Sequence, residues 1–381
     1  MAVTAHHQVP TPVPLVDLQK QQAALDDRIR SRMEAVMARG DFILGAPVTE
    51  LEAKLADFTG TKAAITVANG TDALQIALMA MGIGPGAAVF VPAFTFAATA
   101  GAVAMTGATP VFVDIDDVTL TMDPKHLEVQ IAKVKKVGGL KPQGIIPVDL
   151  FGRPADYPAI LGLAQAENLM VLADAAQSFG AASNEGRVGR LAPATTVSFY
   201  PSKPLGCFGD GGAILTQEPA LAEACRRLRG HGFDPAGEAR QVGLNSRLDS
   251  LQAAVLLAKL EVFEEELRTR RKAAAWYDQR LSARLRTPLL ESKDRSAWAV
   301  YAVRSPRRDV LQQALQDAGI ASAVYYRKPL HLHAAYAGFG EGAGSLPVSE
   351  RVAEEVLALP MHGYLDEITV ERVCDALLQA L

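Results

Sequence analysis

Lys203 stands between Pro201 and Pro204 in the stretch SFYPSKPLGCFGDGGAILT, residues 198–216, and glycines follow at 206, 209, 211 and 212. The prolines restrict the backbone on both sides, so the lysine side chain leaves the main chain in a nearly fixed direction, as suits an amine that must reach one atom. The glycines supply tight turns or let the backbone pass close to a bulky ligand. A surface lysine in a β-turn has the same composition, so this stretch decides nothing alone. In VANGTDAL, residues 67–74, an apolar run ends at Gly70 and Thr71, and a helical pattern begins with Asp72 in its first turn. Backbone N–H groups at such a helix start, with a threonine hydroxyl, make a phosphate cradle; a plain cap by Asn69 or Thr71 reads the same way. In VLADAAQSFG, residues 171–180, Asp174 ends an apolar run and Gln177 follows three residues later. A carboxylate placed there needs a cation or donors to offset its desolvation, unless it too is a helix cap. Ser198, five residues before Lys203, offers a further hydroxyl to an anion site.

The elements that must position these residues are legible as an alternation. Between about residues 15 and 240 the apolar runs AAITVA, AAVFVP, TPVFVDI, GIIPVDL, LMVLADA, TTVSFY and GGAILT read as strands, with helical segments such as TDALQIALMAMG and YPAILGLAQAEN between several of them. That alternation predicts an α/β domain whose mostly parallel sheet is covered on both faces, with ligands at the carboxyl ends of the strands. From Leu248, LDSLQAAVLLAKLEVFEEELRTRRKAAAWYDQRL lacks Gly and Pro and repeats Leu256, Leu260, Phe263 and Leu267 at helical spacing, which predicts one long helix. The remainder mixes short strands, WAVYAV and ASAVYY among them, with terminal helices. The expected organisation is a flexible tail over 1–14, a large α/β domain over 15–248, and the long helix with a smaller α/β domain over 249–381.

Composition narrows the partners. A net charge of −4, with Lys and Arg spread along the chain, offers no basic field for nucleic acid. The three cysteines, Cys207, Cys225 and Cys374, have no CxxC spacing, which argues against a disulfide framework or structural zinc and fits a reducing cytoplasm. The start MAVTAHHQVPTPVP lacks the basic and apolar regions of a secretory signal, and the apolar stretch over 87–105 is interrupted by Pro92 and small residues, unlike a membrane span.

A phosphate cradle, a buried acid and a fixed lysine, all at strand ends, together match the needs of pyridoxal 5′-phosphate (PLP). That cofactor takes a lysine amine, an acid on its pyridinium nitrogen and an anchor for its phosphate. The segments NGTDAL, PAFTFAATA, ADAAQSFGA, SFYPSKPLGCFGDGGAI and GLNSRLDSLQAAVL occur in the order and approximate spacing of the DegT/DnrJ-type nucleotide-sugar aminotransferases. The chain resembles that family from VPLVDLQKQ and FILGAPVTELE to LPMHGYL. Its PSKPLGCFGDGGA and PLHLH segments are most similar to enzymes that aminate C3 of a UDP-linked 2-acetamido-3-keto-hexuronic acid.

The resemblance implies the aspartate-aminotransferase (fold type I) architecture and a cofactor cycling between its pyridoxal and pyridoxamine (PMP) forms, with glutamate as amino donor. Matched by position, Lys203 would carry the cofactor and later move a proton between the substrate carbon and the cofactor. Asp174 would pair with the pyridine nitrogen, Gln177 would lie near the phenolic oxygen, and Phe96 would stack on the ring. Gly70, Thr71 and Ser198 match the phosphate anchors, and Asn245 matches a residue that reaches the phosphate from a neighbouring subunit, which implies a homodimer. Arg247, two residues on and on the same side of an extended segment, would hold the sugar's C6 carboxylate, with Tyr325, Tyr326 and His331 as sugar or nucleotide contacts. Caps for the following helix, or an Arg247–Asp249 pair, are the plainer readings of Asn245 and Arg247. The resemblance implies no metal.

Some positions depart from the family's common pattern. Ala173 stands where glutamate often precedes the aspartate, Asp149 replaces a frequent histidine or serine, and Tyr325 replaces a histidine of the nearest subgroup. The last two are expected near the sugar pocket. Amination at C4, or of a neutral 3-keto sugar, is therefore the alternative. A PLP-dependent sugar dehydratase is disfavoured by Lys203, since those relatives carry histidine there, and a non-catalytic regulatory relative is disfavoured by the presence of both Lys203 and Asp174.

Overall fold

The computed structural model describes residues 11–289 and 295–381. Among them the chain runs α1 (Leu18–Arg39), α2 (Ala46–Thr59), β1 (Ala63–Val67), α3 (Gly70–Ala80), β2 (Ala87–Pro92), α4 (Ala97–Met105), β3 (Thr109–Val113), α5 (Pro124–Val137), β4 (Lys141–Ile145), α6 (Tyr157–Glu167) and β5 (Met170–Asp174). A two-residue hairpin pair follows, β6 (Ala182–Ser183) and β7 (Gly186–Arg187), then β8 (Ala194–Ser198), β9 (Gly212–Thr216), α7 (Pro219–Leu228), α8 (Ser250–Leu260) and α9 (Phe263–Leu281). The chain closes with β10 (Tyr301–Arg304), α10 (Arg308–Asp317), α11 (Pro347–Glu355), β11 (Val356–Leu359) and α12 (Glu367–Ala380).

Seven strands form one sheet in the order β1-β9-β8-β5-β4-β2-β3, parallel throughout except at β9, which runs against both β1 and β8. Most strands are short and apolar along nearly their whole length, β1, β2 and β9 above all, because both faces are covered. Ile65, Val89 and Val91 pack under α3 and α4, while Phe90, Ile145 and Val171 pack under helices of the other face. A second core gathers Tyr277, Leu281, Tyr301, Leu311, Leu315, Leu357 and Val373 around the β10–β11 pair.

The run from Leu248 is not one helix. It breaks at Glu261 and Val262 into α8, which is buried on nearly every side against α1 and α2, and α9, which reaches the second core. Three glutamates in the first turn of α9, Glu264, Glu265 and Glu266, favour a new helix start through its dipole. ASAVYY is not a strand either: Ala323 makes a single bridge to Ala358, and Tyr325 and Tyr326 turn away to pack near Phe94 and Phe96. Residues 1–10 of the expected tail lie outside the described residues, but Val13 is buried and exchanges backbone hydrogen bonds with Gly319 and Ala321. No helix among the described residues is long and apolar enough to cross a membrane.

Candidate active site

Asp174 is the last residue of β5, and the parallel register sets it beside Thr196 of β8. Its carboxylate is buried and fully held: Oδ2 accepts the Thr99 hydroxyl at 2.8 Å and Oδ1 accepts the Ala176 N–H at 3.2 Å. Burial raises its pKa, while these donors and the charge of Lys203 act the other way. Lys203 is half-buried, and burial draws its ammonium below the ordinary value against the attraction of Asp174. An acid and an amine facing one another, each disfavoured as an ion by burial, are poised for proton handling and for attack by a neutral amine.

The lysine turn joins β8 to β9 and is pinned at several points. Lys203 N–H reaches the carbonyl of Tyr200 at 2.8 Å, Cys207 N–H that of Phe199 at 2.8 Å, and Phe199 N–H that of Gly211 at 2.7 Å. From α8, the buried Lys259 donates to the carbonyl of Gly206 at 2.6 Å, and Gln252 both donates to and accepts from the backbone of Phe208. A Cβ on Gly206 would lie 2.5 Å from the carbonyl oxygen of Pro201, so the glycine is what lets the turn fold back on itself. That fold, together with the two prolines, is why this lysine has one direction to point.

The start of α3 approaches the end of β8 closely. A Cβ on Gly70 would lie 2.8 Å from the Ser198 Cβ. Asn69 caps the helix by accepting the Asp72 N–H at 2.8 Å, while Thr71 keeps an exposed side chain. Cap and cradle are thus compatible: the cap satisfies one N–H group, and Gly70, Thr71 and Ser198 remain together at one helix terminus. Phe96, just before α4, is exposed by 60% and has Tyr326 at 6.3 Å between ring centroids. Gln177 accepts the Phe151 N–H at 2.6 Å and donates to the Tyr326 hydroxyl at 3.2 Å. Tyr325 lies against Tyr326, with 5.9 Å between ring centroids.

Three expected residues sit elsewhere or differently. Asn245 and Arg247 lie on a segment bound to Gly230 and Arg229, with Ser246 between them buried and accepting the Ala68 N–H at 3.1 Å. Asn245 does not cap α8, and Arg247 pairs with Asn245 rather than with Asp249. His331 belongs to the interior: its side chain has no exposed surface and its Nε2 meets Glu350 at 3.0 Å. In this structure it offers no exposed surface to a sugar or nucleotide. Asp149, expected near the sugar pocket, is likewise fully buried, with both carboxylate oxygens occupied by donors of this chain. Sequence reasoning missed Thr99, whose place in the first turn of α4, three residues after Phe96, was the available signal, and it gave no role to Ser178.

The residues present fit pyridoxal phosphate. A buried acid within electrostatic reach of Lys203, that lysine's amine, and a helix terminus packed so closely on Ser198 that a Cβ at Gly70 would clash match the acid, the amine and the phosphate anchor the cofactor needs.

Comparison with known proteins agrees with this geometry. The model of the DegT/DnrJ/EryC1/StrS aminotransferase family matches residues 23–378. The chain is 46% identical to the UDP-2-acetamido-2-deoxy-3-oxo-D-glucuronate aminotransferase of Pseudomonas aeruginosa, over 96% of this chain and 99% of that one. Among solved structures it is similar to an aminotransferase of the same family from Brucella abortus, with a TM-score of 0.94 and 45% identity over 96% of this chain and 99% of the other. It is also similar to NtdA of Bacillus subtilis, solved with bound cofactor PMP, with a TM-score of 0.88 and 29% identity over 97% and 85% of the two chains.

Proposed function

The chain belongs to the DegT/DnrJ/EryC1/StrS aminotransferase family, and we propose that within it the chain aminates C3 of a UDP-linked 2-acetamido-2-deoxy-3-keto-hexuronic acid, with glutamate as amino donor. The observation that carries the substrate is the near-full-length likeness to the Pseudomonas aeruginosa relative named for a 3-oxo-glucuronate. Pyridoxal phosphate, the cofactor of the family, supplies when bound an electron sink for the bond broken at the substrate carbon.

The chain's own residues do the rest. Lys203 attaches the cofactor, and its amine later moves the proton at C3 of the sugar; burial, which lowers its pKa, favours the neutral amine that can accept that proton. Asp174 holds the proton on the ring nitrogen, with Thr99 keeping its carboxylate in place. Gln177 presents an amide N–H to the phenolic oxygen, Phe96 covers one ring face, and Gly70, Thr71 and Ser198 receive the phosphate on the helix terminus. Tyr325 and Tyr326 border the sugar.

The active unit is a homodimer in the cytoplasm. The exposed Asn245 and the half-buried Arg247 of one copy reach the site of the other, Asn245 toward the phosphate and Arg247 toward the C6 carboxylate. Exposed Phe42, Ile43 and Leu44, bridged to Asp249 just beyond that segment, supply apolar surface for the contact.

The test offers the purified enzyme glutamate together with either the UDP-3-keto-hexuronate or its neutral 6-hydroxymethyl counterpart, and follows the products by mass spectrometry and NMR. A 3-amino uronic acid formed in clear preference is expected. Amination at C4, or equal turnover of the neutral sugar, would overturn the substrate assignment, and an active monomer in sedimentation would overturn the shared site.

A further inference from the structure

Asp149 is fully enclosed, yet it is not an idle buried acid. Its Oδ1 accepts the Ala155 N–H at 2.9 Å and the Tyr157 hydroxyl at 2.8 Å, and its Oδ2 accepts the Ser178 hydroxyl at 2.7 Å. Its own N–H donates to the carbonyl of Asp174 at 3.0 Å. One residue thereby ties together the turn that leads into α6 and the turn that follows β5 through its side chain, and the end of β5 through its backbone N–H.

Gln177 sits where these pieces meet. Its Oε1 is committed to the Phe151 N–H at 2.6 Å, inside the turn that Asp149 opens, and its neighbour Ser178 is bonded to Asp149 directly. Phe151 holds φ at 60°, a left-handed conformation that a side chain disfavours, so the direction of its N–H is imposed by its surroundings. An amide whose oxygen faces a fixed backbone donor cannot turn over without leaving that donor unpaired. The Nε2 of Gln177 then has its direction set: one hydrogen meets the Tyr326 hydroxyl at 3.2 Å, and the other is left for a ligand.

We propose that Asp149 is a positioning residue for the cofactor's phenolic side, clamping the Phe151 turn and Ser178 from beneath so that the Gln177 amide presents N–H, and not C=O, to the ligand. The proposal rests on the assignment of Gln177 to the cofactor. The carboxylate can accept all three donors at once only when it is ionised; below its raised pKa of about 7, where burial protonates it, Tyr157 or Ser178 must turn and one arm of the clamp loosens. The ionisable groups around this clamp are Asp174, which faces Asp149, Tyr157 at the start of α6, Lys203 beyond Asp174, and Tyr326 over Gln177.

The experiment compares Asp149→Asn, Gln177→Ala and the double variant as holoenzyme and as apo-protein. Asparagine keeps the shape but sets an NH₂ group against at least one of the three donors. The readouts are the affinity of the apo-protein for pyridoxal phosphate, the pH midpoint of the bound cofactor's visible band, and the separate changes in kcat and KM for the nucleotide sugar. Each single variant should weaken cofactor affinity by about tenfold, shift the band in the same direction and lower kcat with KM nearly unchanged. In the Gln177→Ala background, Asp149→Asn should add little. Equal shifts in both backgrounds would make Asp149 a general scaffold residue and overturn the proposal, as would a rise in KM with no band shift. A Gln177→Ala enzyme with an unmoved band would sink the Gln177 assignment and this proposal together. A moved band in Gln177→Ala alone would sink only the role of Asp149. If Asp149→Asn does not fold, Ser178→Ala, which removes a single donor, must show the same non-additivity with Gln177→Ala.

Discussion

Arg247 donates from Nη2 to the Oδ1 of Asn245 at 2.5 Å, with buried Ser246 between them facing the other way. The alternation of an extended segment has put both polar heads on one edge. In that place the guanidinium keeps further N–H groups free to meet a carboxylate in bidentate fashion. Replacing Arg247 by Leu should therefore reduce kcat/KM on the hexuronate by ~2–5 kcal/mol while sparing the neutral 6-hydroxymethyl sugar. Equal losses on both substrates would mean that the arginine only supports Asn245 and the loop.

Lys203→Ala should abolish covalent attachment of the cofactor. Borohydride treatment of the parent followed by peptide mass analysis should place the phosphopyridoxyl mass on the peptide containing Lys203, and the variant should show none. The buried Lys259, held to the Gly206 carbonyl, is the internal control, since modification there would misassign the site.

Thr99→Val removes the donor at Asp174 Oδ2 without changing side-chain volume much. A hydrogen bond to a buried charge contributes about 2 kcal/mol, so the variant should bind the cofactor roughly thirtyfold more weakly. Asp174→Asn should cost more in kcat, roughly 10²–10³-fold, because an amide cannot keep the ring nitrogen protonated. If Asp174→Asn turned over at near-native rate, the acid would have another role.

Acid should stabilise the apo-protein through Asp149. Burial, the leading cause, together with the negative charge of Asp174, raises its pKa to about 7 against the pull of its three donors. The unfolded chain releases that proton near pH 4, so between about 4 and 7 the folded form alone retains it, and stability falls as pH rises. The contribution is fully present below about pH 4 and lost by about 7, up to ~4 kcal/mol in all. Asp149→Asn should flatten this part of the profile in urea titrations of apo-protein at several pH values; an unchanged slope would show that Asp149 is already ionised when folded.

The chemistry of the site was legible early because its residues are of types that cost free energy unless used. An aspartate ending the apolar run of β5, a lysine between prolines and a glycine opening α3 each needed a reason, and one cofactor gave a reason for all three. The strands over 63–67, 87–92, 109–113, 170–174, 194–198 and 212–216 were equally plain, since burial on both faces leaves nearly unbroken apolar runs. The helix after Leu248 was misread because its apolar spacing continues through Glu261 and Val262, where only the separation of the two cores requires the chain to bend.

Residue type and spacing, with the family resemblance they carry, determined the fold class and the cofactor, because those depend on motifs and their order along the chain. Tertiary structure alone decided which polar groups are spent on the protein itself. His331 reads as a ligand group until Glu350, nineteen residues away, is found closing over it, and Asp149 reads as a pocket residue until Ala155, Tyr157 and Ser178 are found filling its lone pairs. Thr99 meets Asp174 across 75 residues of chain. A side chain's availability depends on what packs around it, and the strand order β8-β5-β4, which brings these segments together, is set by long-range pairing that no short motif records.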